Sequence, residues 1–216
     1  YYAVVSKRVD GKPRIVWQKY LGTVDSLLLH AKRNQPPKPK ETVIFQAGGV
    51  AALLGIAQRL ELLELINTVI PKRQQGATVG HYMLLAAINR ALDPCSKLAI
   101  GNWYESTVLR RLWQFPKSVF SSQRFWDHMD MLDEESIKTI QEKLISHVKS
   151  VFGFNSHLLL YDTTNFFTFL ATTNNRANLP QRGHSKAKRY DLRQVGLALL
   201  VTGDFQIPLL HYVYQG

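Results

Sequence analysis

The hydrophobic period of this chain changes twice, and those changes constrain the fold more than any other feature. Near the start, Tyr1-Tyr2-Ala3-Val4-Val5 and Arg14-Ile15-Val16-Trp17-Gln18-Lys19-Tyr20 are β-rich, and they flank the turn signal Asp10-Gly11-Lys12-Pro13. Residues 1–24 therefore read as a β-hairpin. From about Gly48, Leu53, Leu54, Ala57, Leu60, Leu63, Leu65 and Ile66 recur at three-to-four spacing until Pro71, the pattern of a helix with one apolar face. After Gly153 the pattern turns back to strands. His157-Leu158-Leu159-Leu160-Tyr161 is a short apolar run that reads as a buried strand ending at Asp162. Val195–Val201 and Gln206–Tyr214 flank Thr202-Gly203-Asp204-Phe205, a strand, a tight turn and a second strand.

Four further helices are expected in the middle. Thr78 caps one that runs to Leu92 and ends at Asp93-Pro94. Ser96 opens another, to about Leu112. Ser121 or Ser122 opens a third, to about Met131. Asp133 caps the last, with Ile137, Ile140, Leu144, Ile145 and Val148 on one face and Gly153 at its end. A Pro/Lys segment, Asn34–Lys40, reads as an extended linker. The expected fold class is α+β, in three parts: a basic hairpin and linker at 1–40, a helical domain of about five helices at 41–155, and three strands of an incomplete sheet at 156–216.

Charge follows the same division. Of 216 residues, 27 are Lys or Arg and 16 are Asp or Glu, a net of +11. Residues 1–40 hold nine basic and two acidic residues, and 156–216 hold six and three; 41–155 are nearly balanced, with twelve and eleven. Two basic ends around a neutral middle suit phosphate contact. The N-terminal basic segment is thus one DNA-contact candidate, with a solvated arm as the other reading. The single cysteine, Cys95, excludes an internal disulfide and a Cys-based zinc site and fits a reducing, cytoplasmic setting. Val195–Val201 is too short to span a bilayer, and the stretch Val50–Ile70 contains Arg59, Glu61 and Glu64. The seven histidines show no compact ligand spacing. The four tryptophans read as core residues. The helices at 78–92 and 96–112 show few basic residues, which favours packing over a helix-turn-helix reader.

Asp162 is the leading site candidate. A carboxylate at the end of a buried strand is held rigidly at an edge open to ligands, which is how metal-dependent phosphoryl-transfer sites place an acid. The other reading is a turn, with Thr163, Thr164 and Asn165 satisfying backbone groups. Arg182, Lys186, Lys188, Arg189 and Arg193 crowd into twelve positions opposed only by Asp191. If strand 195–201 pairs antiparallel with 157–161, its start lies beside Asp162 and this cluster borders the acid, where basic side chains suit a phosphodiester of nucleic acid; a solvated loop is the other reading. His184 stands among these residues as a further phosphate-contact candidate. Asp204 falls at the far turn, roughly 20 Å from Asp162 at ~3.3 Å per residue. Asp191 reads as a partner for the neighbouring arginines.

Tyr161-Asp162-Thr163-Thr164-Asn165-Phe166-Phe167-Thr168-Phe169 resembles the first-aspartate segment of DDE transposases of bacterial insertion sequences. Gly183-His184-Ser185-Lys186 through Arg189, Asp191-Leu192 and Gln194-Val195 resemble the following loop and second strand. The Gly196–Gly216 hairpin is similar to the second and third strands. The hairpin, helices and Ser122-Gln123-Arg124-Phe125-Trp126 are similar to the N-terminal half. The resemblance implies that the helical domain at 41–155 binds DNA and that 156–216 are part of an RNase-H-like catalytic domain in which two Asp and one Glu bind two Mg²⁺ or Mn²⁺ ions. It also implies double-stranded DNA as partner, both transposon ends and target, with a possible homodimer, in the nucleoid of a bacterial cytoplasm. Only Asp162 can be carried over as a catalytic and metal-binding residue. The second Asp and the Glu belong to elements beyond the third strand. The absence of an initiator Met and the run into Gly216 raise the expectation of a piece of a longer protein, inactive in transposition by itself. The alternative is a non-catalytic DNA-binding or inhibitory truncated product. An aspartate-nucleophile phosphatase is a weaker reading, because the position of its second acid is Thr164.

Overall fold

The computed structural model describes residues 1–33, 41–70, 76–154, 157–171, 173–174, 176–184 and 187–216. The expected linker at Asn34–Lys40 and the helix stop at Pro71 lie outside the described residues. The chain divides into two compact units, Tyr1–Ile44 and Phe45–Gly216.

In the first unit, β1 (Tyr2–Val9) and β2 (Lys12–Tyr20) pair antiparallel. Asp10 and Gly11 form the turn, both at positive φ (50° and 77°). A two-residue turn with both centres left-handed matches the natural twist of the strands, which is why Asp-Gly specifies it. The helix α1 (Val24–Arg33) is not expected from the period. Its signals are terminal ones: the Ser26 N–H donates to Thr23 Oγ1 at 3.3 Å, Asp25 lies in the first turn, and His30, Lys32 and Arg33 lie in the last.

The second unit begins with α2 (Gly48–Arg59) and α3 (Leu62–Val69). The sequence reads these as one helix, but Glu61 at φ 47° breaks it. The helix α4 (Val79–Leu92) starts where expected. Thr78 Oγ1 accepts from the His81 N–H, and the His81 ring nitrogen accepts from the Thr78 N–H, a reciprocal cap. The helix expected from Ser96 to about Leu112 is also divided, into α5 (Ile100–Ser106) and α6 (Leu109–Trp113). The cause is a competing backbone partner. The Gln46 N–H donates to the Ser106 carbonyl and the Val108 N–H donates to the Gln46 carbonyl, both at 2.9 Å, which holds Thr107 extended. A short 3-10 helix (Lys117–Phe120) precedes α7 (Ser122–Met129), capped by Ser121, and α8 (Glu134–Phe152), capped by Asp133. Between residues 41 and 155 the described residues thus hold seven α-helices against the five expected there. No helix among them is long and apolar enough to cross a membrane.

The core lies where α2, α4, α5, α7 and the 3-10 helix meet. Phe120 is its centre, with ring centroids 4.6 Å from Tyr104 and 5.3 Å from Tyr82. Tyr82 also stacks on His128 at 3.9 Å and donates its hydroxyl to the Val119 carbonyl at 2.6 Å. The helix α4 runs through this core with seven buried residues, so it is a packing element. Trp103 is in the core and Trp113 packs against it, as expected; Trp17 and Trp126 are half exposed, which corrects the reading of all four as core.

The C-terminal strands β3 (Leu159–Thr168), β4 (Arg193–Thr202) and β5 (Pro208–Gln215) form an antiparallel sheet in the order β3-β4-β5. The sheet belongs to the same unit as the helices: α8 packs against β5, and the His211 N–H donates to Gln141 Oε1 at 3.3 Å. Truncating the fully buried Phe120 to Ala should destabilise the second unit by about 3–5 kcal/mol in urea denaturation. Removing the helix cap with Thr78→Ala should cost about 1 kcal/mol in the same assay.

Candidate nucleic-acid interface

The position of Asp162 follows from the length of β3. The apolar run ends at Tyr161, but Thr163, Thr164, Phe166, Phe167 and Thr168 are β-branched or aromatic and continue the strand. Asp162 therefore lies inside β3, opposite Leu199, and not at a strand end. The strand is not buried either: Leu159, Leu160 and Tyr161 are exposed, Tyr161 by 68%. The reason is its place at one side of the sheet; β4, in the centre, supplies the buried face through Gln194, Gly196, Ala198 and Thr202.

Side chains alternate across the sheet, so Asp162 shares a face with Leu160, Thr164 and Phe166, and with Leu199 on β4 and His211 on β5. Its carboxylate is exposed, and Oδ1 accepts from the Thr163 N–H at 2.8 Å. No three His, Cys, Asp or Glu side chains come together as a metal-binding group among the described residues. A two-metal centre needs several fixed oxygen ligands, so Asp162 and its surroundings do not fit one by themselves.

The basic loop docks at the other end of β3. Val195, the expected start of the strand, pairs with Phe166, four residues from Asp162 or about 13 Å at ~3.3 Å per residue, and Arg193, the first residue of β4, pairs with Thr168, six residues or about 20 Å away. This corrects the expectation that the start lies beside the acid. The same shift brings the β4–β5 turn nearer than expected. Thr202 is three residues from the level of Asp162, roughly 10 Å along the sheet. Asp204 remains a turn residue there, its carbonyl accepting from the Thr202 hydroxyl.

Buried Gln194 anchors the loop. Its backbone exchanges two hydrogen bonds with Gln181, at 2.7 and 3.1 Å, and its Nε2 donates to the His184 carbonyl at 2.8 Å. Asn165 donates to the same carbonyl at 3.4 Å. Sequence reading misses both amides; their spacing from the basic cluster carries no signal without the register. Gly196 matters here too. A Cβ on it would fall 2.3 Å from the Tyr214 ring, which lies across β4 at this point.

The four basic candidates among the described residues have different roles. Arg189 makes a two-pronged pair with Asp191, Nε to Oδ1 and Nη2 to Oδ2, both at 2.8 Å. This is the internal partnership expected for Asp191, and it takes up the Arg189 charge. Arg193 is half-buried and donates to the Asn174 carbonyl at 2.9 Å, while its own carbonyl accepts from Thr168 Oγ1. It braces the loop. Arg182 and Lys188 are exposed, Lys188 on a left-handed backbone at φ 55° that turns the loop. Lys186 lies outside the described residues. Arg182 and Lys188 are therefore the exposed cations best placed to meet a phosphate.

The Arg189 hydrogen bonds hold the Asp191 carboxyl down to about 2. A depressed folded value means that the pair's contribution is complete above the ordinary Asp range, near ~3.9, and is lost as pH falls towards 2. NMR titration should place the Asp191 midpoint near 2, and Arg189→Gln should return it towards ~4.

Set beside known proteins, the chain matches no protein-family model, no curated protein and no solved structure.

Proposed function

We propose that this chain is the DNA-binding portion of a DDE transposase and that Asp162 is the first of the acids used in two-metal phosphodiester cleavage and strand transfer. The supporting observation is the β3-β4-β5 meander. It presents a carboxylate on an accessible sheet face, and the far end of the same strand anchors a loop with exposed Arg182 and Lys188. Three antiparallel strands in chain order are what an RNase-H-like sheet begins with. Double-stranded DNA is the partner such an arrangement suits, because fixed cations at a sheet end can grip the backbone while the acid faces a phosphodiester.

One carboxylate supplies one ligand. DNA binding, and not cleavage, is the activity assigned to the chain by itself. That no three His, Cys, Asp or Glu side chains gather as a metal-binding group among the described residues also favours a second reading, a non-catalytic DNA-binding product that inhibits an intact transposase. Both readings share the DNA contact.

Duplex affinity of the whole chain tests the shared part. The double variant Arg182→Gln/Lys188→Gln should weaken binding and flatten the slope of log K against log salt by about 1.8, at ~0.9 for each phosphate no longer neutralised. Asp162→Asn should leave affinity within about twofold, since the acid is assigned to chemistry and not to grip. Equal slopes for the wild type and the double variant would contradict the loop assignment.

A further inference from the structure

The N-terminal hairpin has an asymmetry that its sequence does not show. β1 and β2 pair in register, Ala3↔Lys19, Val4↔Gln18 and Val5↔Trp17, then shift by one residue, so that Ser6 faces Ile15, Lys7 faces Arg14, Arg8 faces Pro13 and Val9 faces Lys12. Val16 is the extra residue of this bulge. Residues opposite one another share a face. One face therefore carries Lys7, Lys12, Arg14 and Lys19 together with Val5 and Trp17, and the other carries Arg8 as its one basic residue. Without the bulge, Arg14 would oppose Arg8 and Lys12 would move to that side as well. The bulge gathers the charge.

Among the described residues, no carboxylate forms an ion pair with these cations. The ion pairs lie elsewhere, at Arg110–Glu105, Lys138–Glu142 and Arg189–Asp191. Lys7 directly opposite Arg14 is a like-charge pair, which disfavours the hairpin. Both strands are exposed over almost their whole length, and Trp17, 51% exposed, stands between the charges. Four like charges kept on one solvent-facing ribbon against its own stability call for an anion that repeats along the ribbon. From Lys12 to Lys19 the strand covers seven residues, roughly 23 Å at ~3.3 Å per residue. Duplex DNA offers about one charge per ~1.7 Å of axis, and its major groove, about 12 Å wide, admits a two-stranded ribbon. An anionic bilayer suits a pattern with apolar and basic residues on opposite faces. Here the basic face also carries Val5, Val9 and Trp17 among its cations, while the opposite face, with Tyr2, Val4, Ile15 and Tyr20 beside Arg8, is largely apolar, so an anionic bilayer is the competing occupant that the test separates from DNA.

We propose that the hairpin face formed by Lys7, Lys12, Arg14, Lys19 and Trp17 is a second duplex-DNA contact, gripping the phosphate backbone. This deepens the DNA-binding reading and rests on it, but it depends on different residues from the sheet loop.

The test uses the whole chain and a mixed-sequence duplex of about 30 base pairs, with binding followed by fluorescence anisotropy from about 50 to 200 mM salt. The double variant Lys7→Gln/Arg14→Gln should flatten the log–log slope by about 1.8, so that the fall in affinity across this range shrinks by roughly tenfold. Arg8→Gln, on the opposite face, should leave the slope unchanged. Circular dichroism of both variants should match the wild type, because the substituted side chains are exposed and one like-charge opposition is relieved. An unchanged slope in the double variant overturns the proposal, as does an equal effect per charge from Arg8→Gln. Tighter binding to single strands, or displacement of the duplex by vesicles of anionic lipid in the wild type but not in the double variant, also overturns it. If the hairpin variants are silent while the Arg182/Lys188 pair is not, only this inference fails. If the wild-type chain binds no duplex at the lowest salt, the DNA-binding reading fails with it.

Discussion

The pairing of β3 with β4 is the constraint on which the candidate site depends. Ten residues of β3, from Leu159 to Thr168, meet ten of β4, from Thr202 to Arg193, without a break in register. That ladder fixes Asp162 on one sheet face, at the level of Leu199. It also fixes the basic loop at the opposite end, because Gln194, the second residue of β4, holds Gln181 and His184. A slip of one residue would carry Asp162 to the other face and detach the loop. Asn165, three residues after Asp162, joins the two features, since it belongs to the same strand and donates to the loop at His184.

Charge and packing are kept apart in this molecule. The helices of the second unit close around Phe120, Tyr82 and Tyr104, and Arg110 beside them serves structure through its pair with Glu105. Exposed cations such as Arg90, Lys138, Lys143 and Lys149 are spread over the helices among acidic residues, whereas those on β1 and β2 and in the loop before β4 stand close together. Within each basic region the fold selects further. Arg189 and Arg193 are tied to Asp191 and Asn174, which leaves Arg182 and Lys188 outward. The hairpin bulge makes a similar selection, separating Arg8 from the other four cations. Part of the net charge of +11 is therefore organised into small directed surfaces.

Much of this architecture is legible in the sequence wherever a local signal decides the outcome. Asp10-Gly11 marks its turn, Thr78, Ser121 and Asp133 mark helix starts, and apolar runs around a turn signal mark β4 and β5. The misses have tertiary causes. The helix read from Ser96 to Leu112 is divided because Gln46, about sixty positions upstream, claims the backbone on both sides of Thr107. Glu61 takes a left-handed conformation that no local composition demands. Polarity begins at Asp162, so sequence alone ends the first C-terminal strand there, yet its Thr and Phe residues carry the ladder to Thr168. That single boundary misplaces the basic loop and Asp204 relative to the acid. The role of Asp191 is readable because its partner is only two residues away.

The central claim is that the chain grips duplex DNA through fixed cations on two separate elements. The most direct measurement is the affinity of the unaltered chain for a mixed-sequence duplex as salt is raised. Lys7, Lys12, Arg14, Lys19, Arg182 and Lys188 together predict a log–log slope of about −5, at ~0.9 per phosphate neutralised. A slope near zero, or no binding at the lowest salt, would contradict the account.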